Sequence, residues 1–249
     1  MKTAAIIQAR MNSSRLPGKV LKTLCGRSVL SHVVERVSRA QGIDEIIVAT
    51  TDHSVDDDIA AATRVLGATL FRGSETDVLA RYYLAASAHD ADVVVRVTSD
   101  CPLFEGGLLG EMLRSFAVAQ KSVPGIDYLS NTLTRRFPRG LDAEIFTFAA
   151  LEQAYRNAAR DDEREHVTPF IYRHPDRFRL RNFGGDPDYS QYRWTLDTIE
   201  DWRFIEAVYG ALFTPDGVFG MNEILSLLSR HPELPALNAG IEQKMLASS

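Results

Sequence analysis

Short apolar runs of strand length alternate with amphipathic stretches of helix length through the first half of the chain. This alternation restricts the fold more than any other feature. Residues 3–9 (TAAIIQA), 45–50 (EIIVAT) and 92–98 (DVVVRVT) are apolar almost throughout, the pattern of strands buried on both faces, and 68–71 (ATLF) gives a shorter version after Gly67. Between them, residues 28–40 set Val29, Leu30, Val33, Val34 and Val37 on one side of a helix, and 55–66, 75–88 and 108–119 read as further helices. Strand and helix taking turns predicts βαβ units and an α/β fold: a doubly wound, mostly parallel sheet with helices on both faces.

The pattern changes after Ser122. Pro124, Gly125, Pro138 and Gly140 punctuate an irregular stretch at 123–140, and 141–148 (LDAEIFTF) alternates like a half-exposed strand. Residues 149–160 and 163–172 read as helices, 178–183 and 189–196 as strands, and 199–213 as a helix with Trp202, Ile205, Val208, Tyr209 and Leu212 inward. A length of 249 residues suits one domain, spanning 1–249, with an elaboration at about 123–190. With 45% apolar and 24% charged residues the chain is of ordinary globular composition, which excludes disordered and fibrous classes. A net charge of −5 argues against a nucleic-acid-coating protein. Cys25 and Cys101 form no CxxC pair, so neither a disulfide framework nor a zinc cluster is expected. No apolar run approaches the ~20 residues that span a bilayer. The expectation is a cytoplasmic protein with no membrane partner.

The first predicted strand runs directly into QARMNSSRLPGKVLK, residues 8–22. Up to residue 34 the chain carries Lys2, Arg10, Arg15, Lys19, Lys22 and Arg27, and its first acid is Glu35. An acidic protein has thus gathered positive charge at the carboxyl end of its first strand, where open α/β sheets bind ligands. Asn12, Ser13, Ser14 and Gly18 add small side chains and accessible backbone N–H groups, so that with Arg10, Arg15 and Lys19 the loop is able to wrap a polyphosphate. A solvated basic loop is the plainer reading. Neither the Walker A pattern nor GxGxxG is present.

Asp100, in VTSDCPL, ends a strongly apolar strand, and an Asp opening a turn is common there. Asp197, in YRWTLDTIEDW, precedes a helix that it or Thr198 is able to cap, and Thr198 with Asp201 fits a capping box. Ser74 or Thr76, in GSETDVLARYY, is a candidate cap for the helix that follows. None of the six histidines forms HExxH or a close ligand pair, and Cys101 reads as a packing residue, not a nucleophile.

The string R-x-x-S-S-R-L-P-G-K, Arg10 to Lys19, resembles the signature of the cytidylyltransferases that activate acidic sugars as CMP-sugars, the CMP-Kdo and CMP-sialic acid synthetases among them. The longer IIQARMNSSRLPGKVLKTL is most similar to the spore-coat-polysaccharide, SpsF-like branch. The resemblance runs over roughly residues 3–213. It implies the nucleotide-diphospho-sugar transferase fold and transfer of CMP from CTP to an acidic sugar, Kdo-like or a nonulosonic acid, with release of pyrophosphate, in surface polysaccharide or glycan synthesis. By position in the motif, Arg10, Ser13, Arg15 and Lys19 meet phosphates, Gln8 and Ala9 lie near the cytosine, and Asn12, Ser74, Asp77 and Arg81 complete the nucleotide site. Asp100 and Asp197 (in DTIED) match the positions that hold catalytic Mg²⁺ in the Kdo branch, so Arg10, Lys19, Asp100 and Asp197 form the implied catalytic set.

The resemblance also places Arg139, Asp142 and Glu144 (RGLDAE), Arg164 and His166 (REHVTP) and Arg193 beside the acceptor. For Asp142 and Glu144 a solvated strand face is the alternative, and for Arg164 and His166 an exposed helix face. The Kdo branch has Glu where Cys101 stands, and the sialic acid branch lacks the first Asp, so this chain keeps the metal pair and matches neither acceptor class. Relatives are homodimers pairing through the segment after the central strands, which implies the same here. Tyr128, Leu129, Phe137 and Phe146 lie in that segment, facing a partner or the core. Two other readings stand beside the transferase. One is a glycosyltransferase of similar fold, disfavoured by the absence of D-x-D at Asp100. The other is a non-catalytic nucleotide-binding paralogue, disfavoured by retention of both aspartates and the basic loop.

Overall fold

The computed structural model describes residues 1–242. The chain forms β1 (Thr3–Gln8), a small ribbon of β2 (Thr23–Leu24) and β3 (Arg27–Ser28), α1 (Val29–Ser38), β4 (Glu45–Thr51), α2 (Asp57–Val65), β5 (Thr69–Gly73), α3 (Val78–Ala88), β6 (Val93–Thr98) and α4 (Gly106–Gln120). There follow β7 (Tyr128–Ser130), β8 (Glu144–Thr147), α5 (Phe148–Asn157), α6 (Asp161–His166), α7 (Pro169–Tyr172), β9 (Leu180–Asn182), α8 (Ile199–Leu212), α9 (Met221–Arg230) and α10 (Glu233–Ala236). The main sheet has the order β5-β4-β1-β6-β8-β7-β9. Its first four strands are parallel, β8 is antiparallel to both β6 and β7, and β9 is parallel to β7. The chain therefore winds outward from β1 through β4 to β5 and returns on the other side of β1 as β6. The crevice at the carboxyl ends of β1 and β6 is the switch point, where such sheets take ligands.

Alternation along each strand decides the two layers. Ala5, Ile7, Val95, Val97 and Ile145 point into a core with α1, α4, α8 and α9, whereas Ala4, Ile6, Val94 and Phe146 pack with α3, α5 and α7. The predicted strands and helices of the first half are present. In the second half, Tyr128–Ser130 forms a buried strand inside the stretch expected to be irregular. The single helix expected at 163–172 is broken in two, because Thr168 precedes Pro169 and Val167 takes a positive φ of 75°. The strand expected at 189–196 is not formed, and only one bridge, Arg139 to Arg193, joins that segment to the sheet region. Tyr128, Leu129 and Phe146 are core residues, and Phe137 is half-buried against Phe183. No helix among the described residues is long and apolar enough to cross a membrane.

Glu144 is a buried sheet residue rather than part of a solvated face. Facing Arg96 across the β6–β8 pairing, it accepts from the Arg96 guanidinium, from Tyr128 Oη at 2.5 Å and from Thr168 Oγ1 at 2.6 Å. Removing one member of a buried ion pair strands the other, at a cost of about 3–5 kcal/mol. Glu144→Ala is therefore expected to lower unfolding free energy by that amount in urea titration, and a loss below 1 kcal/mol would contradict this account of the network.

Gly140 closes the path between β7 and β8. It sits at φ +108°, and a Cβ there would lie 2.6 Å from the carbonyl carbon of Trp194 and 2.7 Å from the nitrogen of Thr195. Only glycine lets these two backbones cross at van der Waals distance. Gly140→Ala is expected to cost about 2–4 kcal/mol, combining forced φ with a backbone clash, as read from the chemical-denaturation midpoint.

Candidate active site

The loop after β1 is held by its own backbone. Met11 O accepts the N–H groups of Ser13 and Gly18, both at 2.9 Å, and Gly18 takes a left-handed φ of 69° to turn the chain into a short 3₁₀ segment, Lys19–Leu21. Asp56, buried at the start of α2, accepts the N–H of Met11 at 2.7 Å and so ties the loop to the end of β4. Val20 is anchored in the core. The loop is a fixed frame from which side chains project.

Lys19 projects into the crevice at the switch point. Its Nζ donates to Asp100 Oδ2 at 2.8 Å, Asp197 Oδ1 at 2.9 Å and the main-chain oxygen of Leu196 at 2.7 Å. Those three bonds use all three ammonium protons. Burial pulls the amine towards neutrality, but the two carboxylates outweigh it and raise its pKa. Burial likewise opposes ionisation of Asp100, and Lys19 overcomes it, bringing that carboxyl down to about 2. The other oxygen of Asp197 receives Arg15 at 3.0 Å and Arg193 at 2.9 Å. The fold thus brings Arg15, Lys19, Asp100, Asp197 and Arg193 together, Arg193 included although the sequence placed it only beside the acceptor.

A residue that the sequence showed only as half of a capping box carries much of this arrangement. Asp201, fully buried, accepts Arg193 Nε at 2.9 Å and the backbone N–H groups of Asp197 and Thr198, both at 3.0 Å, while Thr198 Oγ1 accepts from Asp201 N at 3.3 Å. The capping box exists, with Thr198 as the cap, and it also orients Asp197 and Arg193. Asn238, beyond α10, completes it by donating to Asp201 Oδ1 and to the main-chain oxygen of Arg193, each at 2.9 Å. The Leu196 carbonyl had no sequence signal, since any residue supplies one.

Beside this centre lies a cavity of about 350 Å³, lined by Arg139, Tyr192, Arg193, Trp194, Phe204 and Asn238 among others. Arg139 is half-buried and makes no ion pair or side-chain hydrogen bond among the described residues. Burial lowers the pKa of its guanidinium, and neighbouring Arg135 and Arg193 lower it further. Trp194, among the residues that line the cavity, is fully buried, and its Nε1 has no partner among the described residues.

The nucleotide-side candidates surround the loop. Arg10 and Asn12 are exposed and meet Glu75, at 4.0 Å and 3.4 Å, and His53 reaches the same carboxylate at 3.4 Å. Glu75 was not singled out in the sequence, where it reads as an ordinary acid before a helix. The cap of α3 is Asp77, whose carboxylate accepts from Ala80 N at 2.9 Å; Ser74 instead accepts from Asp77 N at 3.0 Å, and Thr76 caps nothing. Arg81 is buried and donates to Ser74 O at 3.0 Å. Gln8 Oε1 and Arg81 Nε are buried without partners among the described residues. Ala9 is buried, its N–H bonded to Ala49 O at 3.1 Å, and Ser13 is half-buried in the loop.

The acceptor candidates separate. Arg139 and Arg193 share the cavity. Asp142 is held by both guanidinium nitrogens of Arg135, one at 2.8 Å. Arg164 pairs with Asp77 and donates to Tyr155 O at 2.8 Å, linking α6 to α3 and α5, and His166 lies half-buried at the end of α6. Cys101 is buried beside Asp100, and burial pushes its thiol pKa well up, as befits packing rather than attack.

Comparison with known proteins gives the family of the chain. The cytidylyltransferase family model matches residues 4–211. An uncharacterised protein of Methanocaldococcus jannaschii is 37% identical over 249 residues, covering 98% of this chain and 97% of that protein. The spore coat polysaccharide biosynthesis protein SpsF of Bacillus subtilis is 35% identical over 236 residues, 92% and 94% of the two chains. The 3-deoxy-manno-octulosonate cytidylyltransferase of Geobacter metallireducens is 39% identical over 115 residues, 45% of this chain and 44% of that one. A solved cytidylyltransferase structure from Leptospira borgpetersenii superposes with a TM-score of 0.90 at 32% identity, covering 98% of this chain and all of that one. The chain belongs to the cytidylyltransferase family.

Proposed function

We propose that this protein transfers CMP from CTP to an acidic sugar, releasing pyrophosphate, and that the product serves surface polysaccharide or glycan synthesis. One observation carries the reading: a basic loop at the switch point meets two aspartates from distant segments around a single cationic position, Lys19 Nζ. The loop supplies phosphate ligands and the aspartates supply charge for a metal.

The residues present fit Mg²⁺. Asp100, Asp197 and the Leu196 carbonyl form an all-oxygen set that already surrounds one cation, the Lys19 ammonium. Mg²⁺ takes few protein ligands and completes its shell with water and phosphate oxygens. When bound, it supplies Lewis-acid stabilisation of charge on the transferring phosphoryl group. The chain's own residues do the remaining work. Arg10, Arg15 and Lys19 hold the triphosphate and the departing pyrophosphate. Asp201 and Thr198 keep Asp197 in place. The acceptor hydroxyl forms the new O–P bond at the α-phosphorus, the bond to the β-phosphate breaks, and the hydroxyl proton passes to water. Catalysis is then mainly positioning plus electrostatics.

The acidic character of the acceptor rests on Arg139. A half-buried guanidinium with no carboxylate partner, next to Arg135 and Arg193, is an anion receptor, and its cavity adjoins Asp197 through Arg193.

The test is pyrophosphate release from CTP with Mg²⁺ over a panel of keto-sugar acids. Turnover with CTP and at least one such acid is expected. No pyrophosphate with any member, or faster release from another triphosphate, would overturn the reading. Asp100→Asn should lower kcat by about 10³-fold or more while leaving the circular dichroism spectrum unchanged. Arg139→Gln should raise KM for the sugar acid by about 10–100-fold with KM for CTP unchanged, the loss of one charge-assisted contact. Equal effects on both substrates would remove Arg139 from the acceptor site.

A further inference from the structure

Two cations assigned to the triphosphate, Lys19 and Arg15, are both drawn onto the metal aspartates, Lys19 with all its protons and Arg15 through Nη2. Lys19 has no proton left for a phosphate oxygen, since Asp100, Asp197 and Leu196 accept all three at 2.7–2.9 Å. Both oxygens of Asp197 already face cations, Oδ1 meeting Lys19 and Oδ2 meeting Arg15 and Arg193. Three cations (Lys19, Arg15, Arg193) face three carboxylates (Asp100, Asp197, Asp201), so the cluster is neutral and offers a divalent ion no net attraction. A metal at 2.0–2.1 Å from the same oxygens and an ammonium among them exclude each other by overlap and by charge.

We propose that Lys19 is the resident cation of the Asp100–Asp197–Leu196 cage before nucleotide arrives, and that the triphosphate opens the cage to metal by drawing Lys19 and Arg15 onto its own oxygens. The inference rests on the proposed role of the two aspartates as metal ligands. The mechanics are set by what is fixed and what can move. The loop backbone is pinned by Met11 O and by Gly18, and the main chain that carries both aspartates is pinned as well, at Asp100 O by Leu196 N and at Asp197 N by Asp201. The Lys19 side chain has four rotatable carbons and no other anchor, so it is the movable part. A triphosphate carries enough negative charge to compete for both loop cations, and each one it takes leaves a carboxylate oxygen exposed. The cage then becomes net negative at the moment phosphate oxygens arrive to complete a metal's shell. Metal therefore enters with or after nucleotide, and the nucleotide-free protein holds it poorly.

The experiment counts free Mn²⁺ by electron paramagnetic resonance, using the full chain without nucleotide. Lys19→Met should bind Mn²⁺ at least about tenfold more tightly than the unaltered protein, and Lys19→Met with Asp100→Asn should lose that gain. Equal Mn²⁺ affinity for Lys19→Met and the unaltered protein would overturn the proposal. Adding CTP to the unaltered protein separates this from failure of the parent reading. Enzyme-bound Mn²⁺ that appears with CTP and depends on Asp100 leaves the metal role standing, whereas its absence removes the metal role and the cage together. A second measurement needs no variant to fold. With ¹⁵N-labelled lysine, the protected Lys19 ammonium resonance should survive Mn²⁺ alone and shift when CTP is added in EDTA. Quenching by Mn²⁺ alone, or no shift with CTP, would also overturn the proposal.

Discussion

The ammonium of Lys19 joins three parts of the chain that share nothing in sequence: the loop after β1, the end of β6 and the segment leading into α8. Its partners Asp100 and Asp197 lie 81 and 178 residues away. The parallel β1–β6 pairing sets the loop and Asp100 side by side, and the Leu196 N–H bond to the Asp100 carbonyl at 2.8 Å brings the third segment in. The cost of a buried charge is met because the ammonium is both paired and fully hydrogen-bonded; with one partner missing, the same burial would be strongly unfavourable.

The first half of this architecture was legible because strands buried on both faces leave an unmistakable apolar signature, and the loop was legible because its charge has no structural reason to cluster. The second half was harder for physical reasons. Tyr128–Ser130 is too short to show a period, and the turn residues around it mask it. The segment at 189–196 has strand-like composition, but its aromatic residues pack as side chains in a loop, Tyr192 stacking on both Tyr189 and Trp194, without a ladder. At the site, Asp100 and Asp197 needed the family motif to rise above turn and cap readings. Asp201 is both a member of the capping box and the scaffold for Arg193 and Asp197. The Leu196 carbonyl and the Glu75 contacts belong to backbone placement and loop packing, which no residue pattern records.

The two halves of the sheet differ in construction. The parallel strands β5, β4, β1 and β6 carry the basic loop at one end, with Glu75 against Arg10 and Asn12 and with Asp77 and Arg81 at the start of α3. The antiparallel turn from β6 to β8 to β7 brings residues 139–144 back against 193–195, where Gly140 permits the close crossing. Asp142 is neutralised by Arg135 and Glu144 by Arg96, which leaves Arg139 as the unbalanced charge in that region. Charge accounting of this kind separates the ion pairs that hold the fold, at Asp142 and Glu144, from the guanidinium that takes no part in them.

Pro235, Asn238, Ala239 and Ile241 line the Arg139 cavity although they lie beyond residue 211, where the family model ends. The Methanocaldococcus jannaschii protein and the Leptospira borgpetersenii structure each match 98% of this chain and so extend over these positions as well. The cavity is thus assembled from three separate stretches of chain, at 139, 190–204 and 235–241, none of which belongs to the basic loop. On the proposed reading, substitutions that reshape the acceptor pocket can accumulate there while the phosphate chemistry stays untouched.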